Sequence, residues 1–218
     1  MLVAQPRPTE RYKRRSADEI TASAAIRQKP GYVPDRLARS RIKITLGAFA
    51  VVIACEVLAG YRPRSPLDFS DPWVIAGGLA VGLGLAVRTW AAGTLIKKKR
   101  LACDGPYSLV RHPLYLGSSL MMLGFTVLTG MWWNVALAAV LAALFFGHAI
   151  RTEESFLAAR FGERWNQYAA RTGRLLPRSI AGRVLAPWSW QRWLRNREFN
   201  AWAGSLLGWL GLLAWWWR

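Results

Sequence analysis

A chain of 218 residues with a formal net charge of +18, 53% hydrophobic residues and thirteen Trp combines properties that a water-soluble domain does not hold together. Basic, aromatic-rich chains also bind nucleic acid, but the thirty Lys and Arg here are segregated: eleven lie in residues 1–43, five in 97–111 and ten in 151–197, leaving Arg62, Arg64, Arg88 and Arg218. Cations gathered in alternate loops between apolar runs are the positive-inside signature of a membrane protein. Nucleic acid is thereby set aside as a partner, and the expected fold is all-α, a polytopic membrane helical bundle. Cys55 and Cys103 are far apart and form neither a disulfide framework nor a metal site.

Residues 1–41 are polar and basic, with Pro6, Pro8, Pro30 and Pro34 and no apolar run long enough for a secretory signal. They read as a cytoplasmic arm in which Ser16, Asp18 and Glu19 start a short helix reaching about Arg27. Its role is either a plain surface or an electrostatic contact with anionic lipid. The first span runs from Ile44 to about Gly60 and contains Glu56. A carboxylate at the bilayer centre costs roughly 3 kcal/mol, so Glu56 is expected at the outer rim, reaching for headgroups. The linker Tyr61 to Pro72 is nearly neutral and suits the outer side. A second span, Trp73 to Ile96, carries Gly78 and Gly82 at the spacing that lets helices approach closely. Arg88 follows Gly84 by four residues, on the same face, and either snorkels to the inner surface or bonds an acidic ligand.

The central stretch, Gly105 to Gly117, reads GPYSLVRHPLYLG. Pro106 and Pro113 break any helix through it, and between them lie Arg111 and His112. Irregular polar backbone at a membrane edge must face protein or a water-filled cavity, because lipid cannot satisfy its amides. That is the geometry of a pocket. Leu116 to Leu128 and Trp132 to Ile150 then form a helical hairpin around Thr129 and Gly130, the first helix starting near Leu114 just after Pro113. The second helix continues beyond the membrane, with Ile150, Glu154, Leu157 and Phe161 on one stripe. Neighbours on a helix diverge by about 100°, so Glu154 rather than Glu153 faces the core; the alternative is that both glutamates solvate a surface helix or pair with Arg151 and Arg160. Residues 178–199 interleave Arg with Trp188, Trp190 and Trp193 in an interfacial pattern, and a last span covers Ala201 to Trp217. About five transmembrane helices result, with the N-terminus cytoplasmic and the C-terminus outside. The chain divides into a basic arm, 1–41, a transmembrane core, 42–177, and a Trp/Arg-rich segment with the last span, 178–218.

The polar clusters Tyr107 to Tyr115 and Arg151 to Tyr168 flank one helical hairpin and emerge on the same, cytoplasmic side, where Arg88 joins them. Together they define a candidate site. At this point GPYSLVRHPLYLG, followed by TEESFLAARFGERWNQYAARTGRLLP, resembles the isoprenylcysteine carboxyl methyltransferase and phospholipid methyltransferase superfamily of integral membrane enzymes. The likeness spans about Gly84 to Pro177 and rests on two motifs in order: the Arg-His-Pro turn with a nearby Tyr and Gly, and the Glu-Glu pair leading to Phe-Gly, Tyr and Pro. It implies S-adenosylmethionine bound at the cytoplasmic face and a lipid or lipidated acceptor entering sideways from the bilayer. Tyr107, His112, Pro113, Tyr115 and Gly117 would line the cofactor pocket, and Glu153 and Glu154 would hold the cofactor's polar groups. Arg111 would face the acceptor or the cofactor carboxylate, and Arg88 matches more loosely. Arg111, His112 and Glu154 are the candidate catalytic residues, with no metal. The membrane would be the inner membrane in a bacterium and the endoplasmic reticulum in a eukaryote. Carboxylate O-methylation is the leading chemistry and phospholipid amine N-methylation the second. Two readings of other classes remain: a non-enzymatic protein that binds anionic lipid, and a sterol-type membrane reductase, for which no GxGxxG turn is present outside the spans.

Overall fold

The computed structural model describes residues 47, 50–96, 100–178 and 184–218, so the basic arm and its short helix lie outside the described residues. Residues 50–58 are helical. Seven helices follow: α1 (Pro72–Thr94), α2 (Pro106–Leu109), α3 (Pro113–Leu128), α4 (Trp132–Phe161), α5 (Glu163–Arg171), α6 (Trp190–Arg195) and α7 (Phe199–Trp217). No strand occurs among the described residues, and one isolated parallel bridge joins Val110 to Gly173. Two helices, α1 and α4, are long and apolar enough to cross a bilayer, and α3 is a shorter apolar helix. Among the described residues the protein is all-helical, consistent with a helical membrane protein.

Local chemistry sets the ends of these helices. Asp71 caps α1 by accepting the Trp73 N–H at 2.8 Å, with Pro72 in the first turn where its missing N–H costs nothing. Pro113 likewise opens α3, as its position in the sequence suggests. The long polar helix expected after Ile150 is broken once: Gly162, at φ +52°, ends α4 and turns the chain into α5.

Antiparallel α1 and α3 pack through glycines, but not the pair that the small-residue spacing suggests. A Cβ on Gly84 would stand 2.6 Å from the Gly117 carbonyl oxygen, and one on Gly124 would stand 2.5 Å from that of Gly77. The contact therefore uses Gly77 and Gly84 against Gly117 and Gly124, a seven-residue repeat on both helices. Gly78 meets only the Trp209 ring at 3.8 Å, and Gly82 faces open space.

At the far end of the bundle from the Arg-His-Pro turn, Glu56 is buried, 5% exposed, rather than reaching outward. Its carboxylate accepts from Trp133 Nε1 at 2.6 Å and Asn134 Nδ2 at 3.1 Å. Hydrogen bonding thus replaces the hydration expected at a rim position. The adjacent apolar core joins Val74, Leu128, Leu212 and Trp215, and Trp215 Nε1 donates to the Tyr61 carbonyl at 2.8 Å.

The Arg- and Trp-rich segment also caps a helix end. The last carbonyls of α1 would be orphaned at the helix end, and residues 189–196 supply their donors. The Ser189 N–H bonds Gly93 O at 3.0 Å, Arg192 Nη1 bonds Thr94 O at 3.3 Å, and Asn196 Nδ2 bonds Ala92 O at 2.8 Å and Leu95 O at 3.1 Å. Trp188 packs on Gly93 and donates to Thr89 O at 3.0 Å. Trp188 and Trp190 remain exposed beyond this cap, whereas Trp193 is buried.

The glycine contact gives a direct test. Gly84→Val is expected to destabilise the detergent-purified protein by about 1–3 kcal/mol through overpacking, seen as a lower unfolding temperature in tryptophan fluorescence. Gly82→Ala is expected to leave the transition unchanged or raise it slightly, since its Cβ meets nothing and alanine favours helix.

Candidate active site

Two segments 42 residues apart in sequence meet at one carboxylate. The turn between α2 and α3 presents Arg111 and His112, and α4 presents Glu154 from its polar end. Arg111 Nη1 lies 3.2 Å from Glu154 Oε1, and His112 Nε2 lies 3.3 Å from the same oxygen. The side chains of Arg111 and Glu154 are only 10% and 11% exposed, whereas that of Glu153 is 48% exposed and its Oε2 lies 3.9 Å from His112 Nδ1. The helical stripe thus separates the two glutamates as their 100° divergence requires.

A second guanidinium completes the cluster, from a residue that sequence reasoning did not single out. Beyond α5 the chain returns as a strap, residues 172–178, pinned to the turn by Arg111 N–H to Gly173 O at 2.7 Å and His112 N–H to Arg174 O at 3.1 Å. Arg174 reaches Glu154 with Nε, 3.1 Å from Oε2, and Nη2, 2.8 Å from the same oxygen. The signal in the sequence was only an Arg in the TGRLLP run, indistinguishable from its basic neighbours. Two rings on α5 hold the turn from the other side. Arg111 lies 5.7 Å from the Trp165 ring centroid, and the Tyr168 hydroxyl donates to the Tyr107 carbonyl at 2.7 Å.

The remaining candidates divide. Tyr115 packs between the rings of His112, at 5.8 Å, and Phe146, at 5.5 Å. Pro113 is buried as the first residue of α3. Gly117 faces α1, and a Cβ there would stand 2.6 Å from Arg88 Cγ. Arg88 bonds an acid, but an internal one: Nε lies 2.7 Å from Glu198 Oε1, Nη2 3.0 Å from Oε2, and Nη1 2.6 Å from Ser118 Oγ. Glu198 is buried at the start of α7. It was missed, although a lone acid in a run of Arg just before an apolar span was a readable signal.

Among the described residues, the buried Tyr107 hydroxyl and Arg111 Nε make no hydrogen bond. A cavity of about 270 Å³ opens beside the cluster, bounded by Ser119 on α3, Phe146, Gly147, Ile150 and Arg151 on α4, and Arg174. The site therefore pairs an anion, Glu154, with several cations around unpartnered donors, an arrangement able to receive a zwitterion next to an apolar chamber. Burial pushes the Tyr107 phenol well above its usual range, and the Cys103 thiol up to about 11, so both stay protonated at neutral pH. Burial also holds the His112 imidazole below 6.5, against the upward pull of Glu153 and Glu154. The neutral ring bonds the carboxylate through an Nε2 proton, because a carboxylate only accepts.

An all-helical membrane protein with a charged pocket beside its apolar helices is the class defined so far. The phospholipid methyltransferase family matches residues 75–164. The chain is 35% identical over 158 residues to the cobalt-zinc-cadmium resistance protein CzcN of Cupriavidus metallidurans, covering 70% of this chain and 71% of that one. It is 34% identical over 159 residues to the nickel-cobalt-cadmium resistance protein NccN of Alcaligenes xylosoxydans xylosoxydans, covering 68% and 70%. Over 81 residues it is 35% identical to the protein-S-isoprenylcysteine O-methyltransferase of Schizosaccharomyces pombe, covering 37% of this chain and 34% of that enzyme. No solved structure matches. The chain belongs to the isoprenylcysteine carboxyl methyltransferase and phospholipid methyltransferase superfamily. Among the described residues no group of three or more His, Cys, Asp or Glu is placed to hold a metal ion.

The depressed His112 value has a signed consequence. An unfolded chain takes up this proton more readily than the folded one, so the stability that His112 contributes is present above pH 6.5 and is lost as pH falls through its lower folded value. The unfolding temperature is expected to drop as pH falls below about 6.5, and His112→Asn is expected to flatten that drop.

Proposed function

We propose that this protein transfers a methyl group from S-adenosylmethionine to a lipid or lipidated acceptor in the membrane. The carrying observation is the meeting of the Arg-His-Pro turn with Glu154 at 3.2–3.3 Å beside an apolar cavity. The residues fit the cofactor: Glu154 suits an ammonium, Arg111 with its unpartnered Nε suits a carboxylate, and the Tyr107 hydroxyl is a spare donor. Such a cofactor, when bound, supplies an electrophilic methyl on a sulfonium whose positive charge leaves in the transfer. The chain's own task is then alignment and exclusion of water, not proton chemistry on the donor.

Carboxylate O-methylation is favoured because a carboxylate needs no base and a guanidinium orients it with paired hydrogen bonds. Phospholipid amine N-methylation is the second reading, favoured by the neutral His112, whose Nδ1 is able to receive an amine proton. In the proposed topology five spans place the N-terminus and the site on the cytoplasmic side and the C-terminus outside. The arm, 1–41, and the C-terminal unit, 178–218, flank the transmembrane core, 42–177.

Calorimetric titration of detergent-purified protein with S-adenosylhomocysteine tests the reading. Micromolar binding is expected for wild type and is expected to be lost in Glu154→Ala and His112→Ala while both variants remain inserted. Arg111→Ala is expected to weaken S-adenosylhomocysteine binding, because its guanidinium suits the cofactor carboxylate. Absence of wild-type binding in detergents and nanodiscs overturns the proposal.

A further inference from the structure

Both oxygens of the Glu154 carboxylate are engaged. Arg111 and His112 share Oε1, and Arg174 bridges both oxygens, with Nε 3.2 Å from Oε1 and 3.1 Å from Oε2 and Nη2 2.8 Å from Oε2. The three partners differ in how they are held. Arg111 is wedged between Glu154 and Trp165, and His112 is 3% exposed, but the Arg174 side chain is 58% exposed. The strap that carries Arg174 is fixed by its main chain, through the Gly173 and Arg174 carbonyls. Leaving Glu154 would therefore require the guanidinium alone to move, with the backbone in place. The alternative direction for that movement is already lined: Arg174 and Arg151 both border the cavity whose other walls are Ser119, Phe146 and Ile150.

We propose that Arg174 is an exchangeable partner of Glu154 and, once displaced, the anchor for an anionic acceptor headgroup. The inference rests on the reading above that Glu154 takes the ammonium of S-adenosylmethionine. Glu154 exchanges the exposed guanidinium for that ammonium, keeping Arg111 and His112. The released Arg174 turns to the cavity mouth, where it and Arg151 present two cations to a carboxylate or phosphate whose apolar chain enters the cavity. No bond is made or broken in this exchange; one ion pair replaces another. Acceptor selection follows, because the cavity gains its second free cation only when the cofactor is bound. Cofactor and acceptor must then favour each other's binding by the same factor.

Calorimetry on the full chain in neutral detergent separates this from a purely structural strap. S-adenosylhomocysteine carries the ammonium, whereas methylthioadenosine lacks it. Arg174→Ala and Arg174→Gln are expected to bind S-adenosylhomocysteine about fivefold more tightly than wild type, having lost the competing cation, and methylthioadenosine with unchanged affinity. Hexadecyl phosphate and palmitate, representing the two headgroups, are expected to bind wild type more tightly at saturating S-adenosylhomocysteine than without it. That coupling is expected to vanish in both variants. Equal or weaker S-adenosylhomocysteine binding in the variants, or a parallel change for methylthioadenosine, overturns the exchange; amphiphile binding indifferent to the nucleoside overturns the anchor. If wild type binds neither nucleoside, the methyltransferase reading itself fails, and the inference falls with it.

Discussion

The polar end of this molecule depends on one nearly buried carboxylate. A charge at the depth of Glu154 persists only if it is paired and hydrogen-bonded, and here the pairing draws on three separate parts of the chain. Arg111 and His112 arrive from the turn before α3, Arg174 from the strap after α5, and Glu154 from the polar end of α4. Remove the carboxylate and two guanidiniums and an imidazole face one another with no anion between them. The turn then keeps the strap's two main-chain bonds, the Tyr168 hydroxyl and the Trp165 ring, but loses its charge pairing. Charge pairing thus fixes the geometry of a segment that neither helix formation nor lipid could fix.

Position along the bundle is set by a different force. The glycine faces of α1 and α3 allow contact at van der Waals range, the kind of packing that holds helices together where lipid removes the hydrophobic driving force. This contact also places Arg88 over Gly117, with its guanidinium on Ser118 and Glu198. A larger residue at Gly117 would push into the stem of Arg88. The Arg88–Glu198 pair consequently ties the start of α7 to the same helix pair that carries the turn, while Trp215 and Leu212 tie its other end to the apolar core.

Much of this architecture was legible because membrane sequences are written in strong contrasts. Apolar runs between Pro, Gly and charged clusters gave the helices of the hairpin, and the 100° step between Glu153 and Glu154 separated the exposed acid from the inward one. What escaped was pairing between distant segments. Arg174 and Glu198 looked like members of a basic surface and a lone acid, because a sequence shows charge but not which charge it will meet. Gly78 and Gly82 satisfied a spacing rule as well as Gly77 and Gly84 did, and only the rotation of α1 against α3 distinguished them. Segment 189–196 read as interfacial from its Trp and Arg, yet those residues equally suit donation to helix carbonyls. The rules of composition are the same for both uses.

The cap on α1 bears on the order of synthesis. Asn196 follows Ala92 by 104 residues, so a ribosome making about 5–20 residues per second leaves the end of α1 without these donors for roughly 5–20 s. Throughout that interval its last carbonyls must stay hydrated at the membrane surface or be shielded by the insertion machinery. Glu198, the counter-ion of Arg88, is translated later still. The nascent chain thus holds the Arg-His-Pro turn and Glu154 before the contacts from residues 189–198 that lock α1 in place.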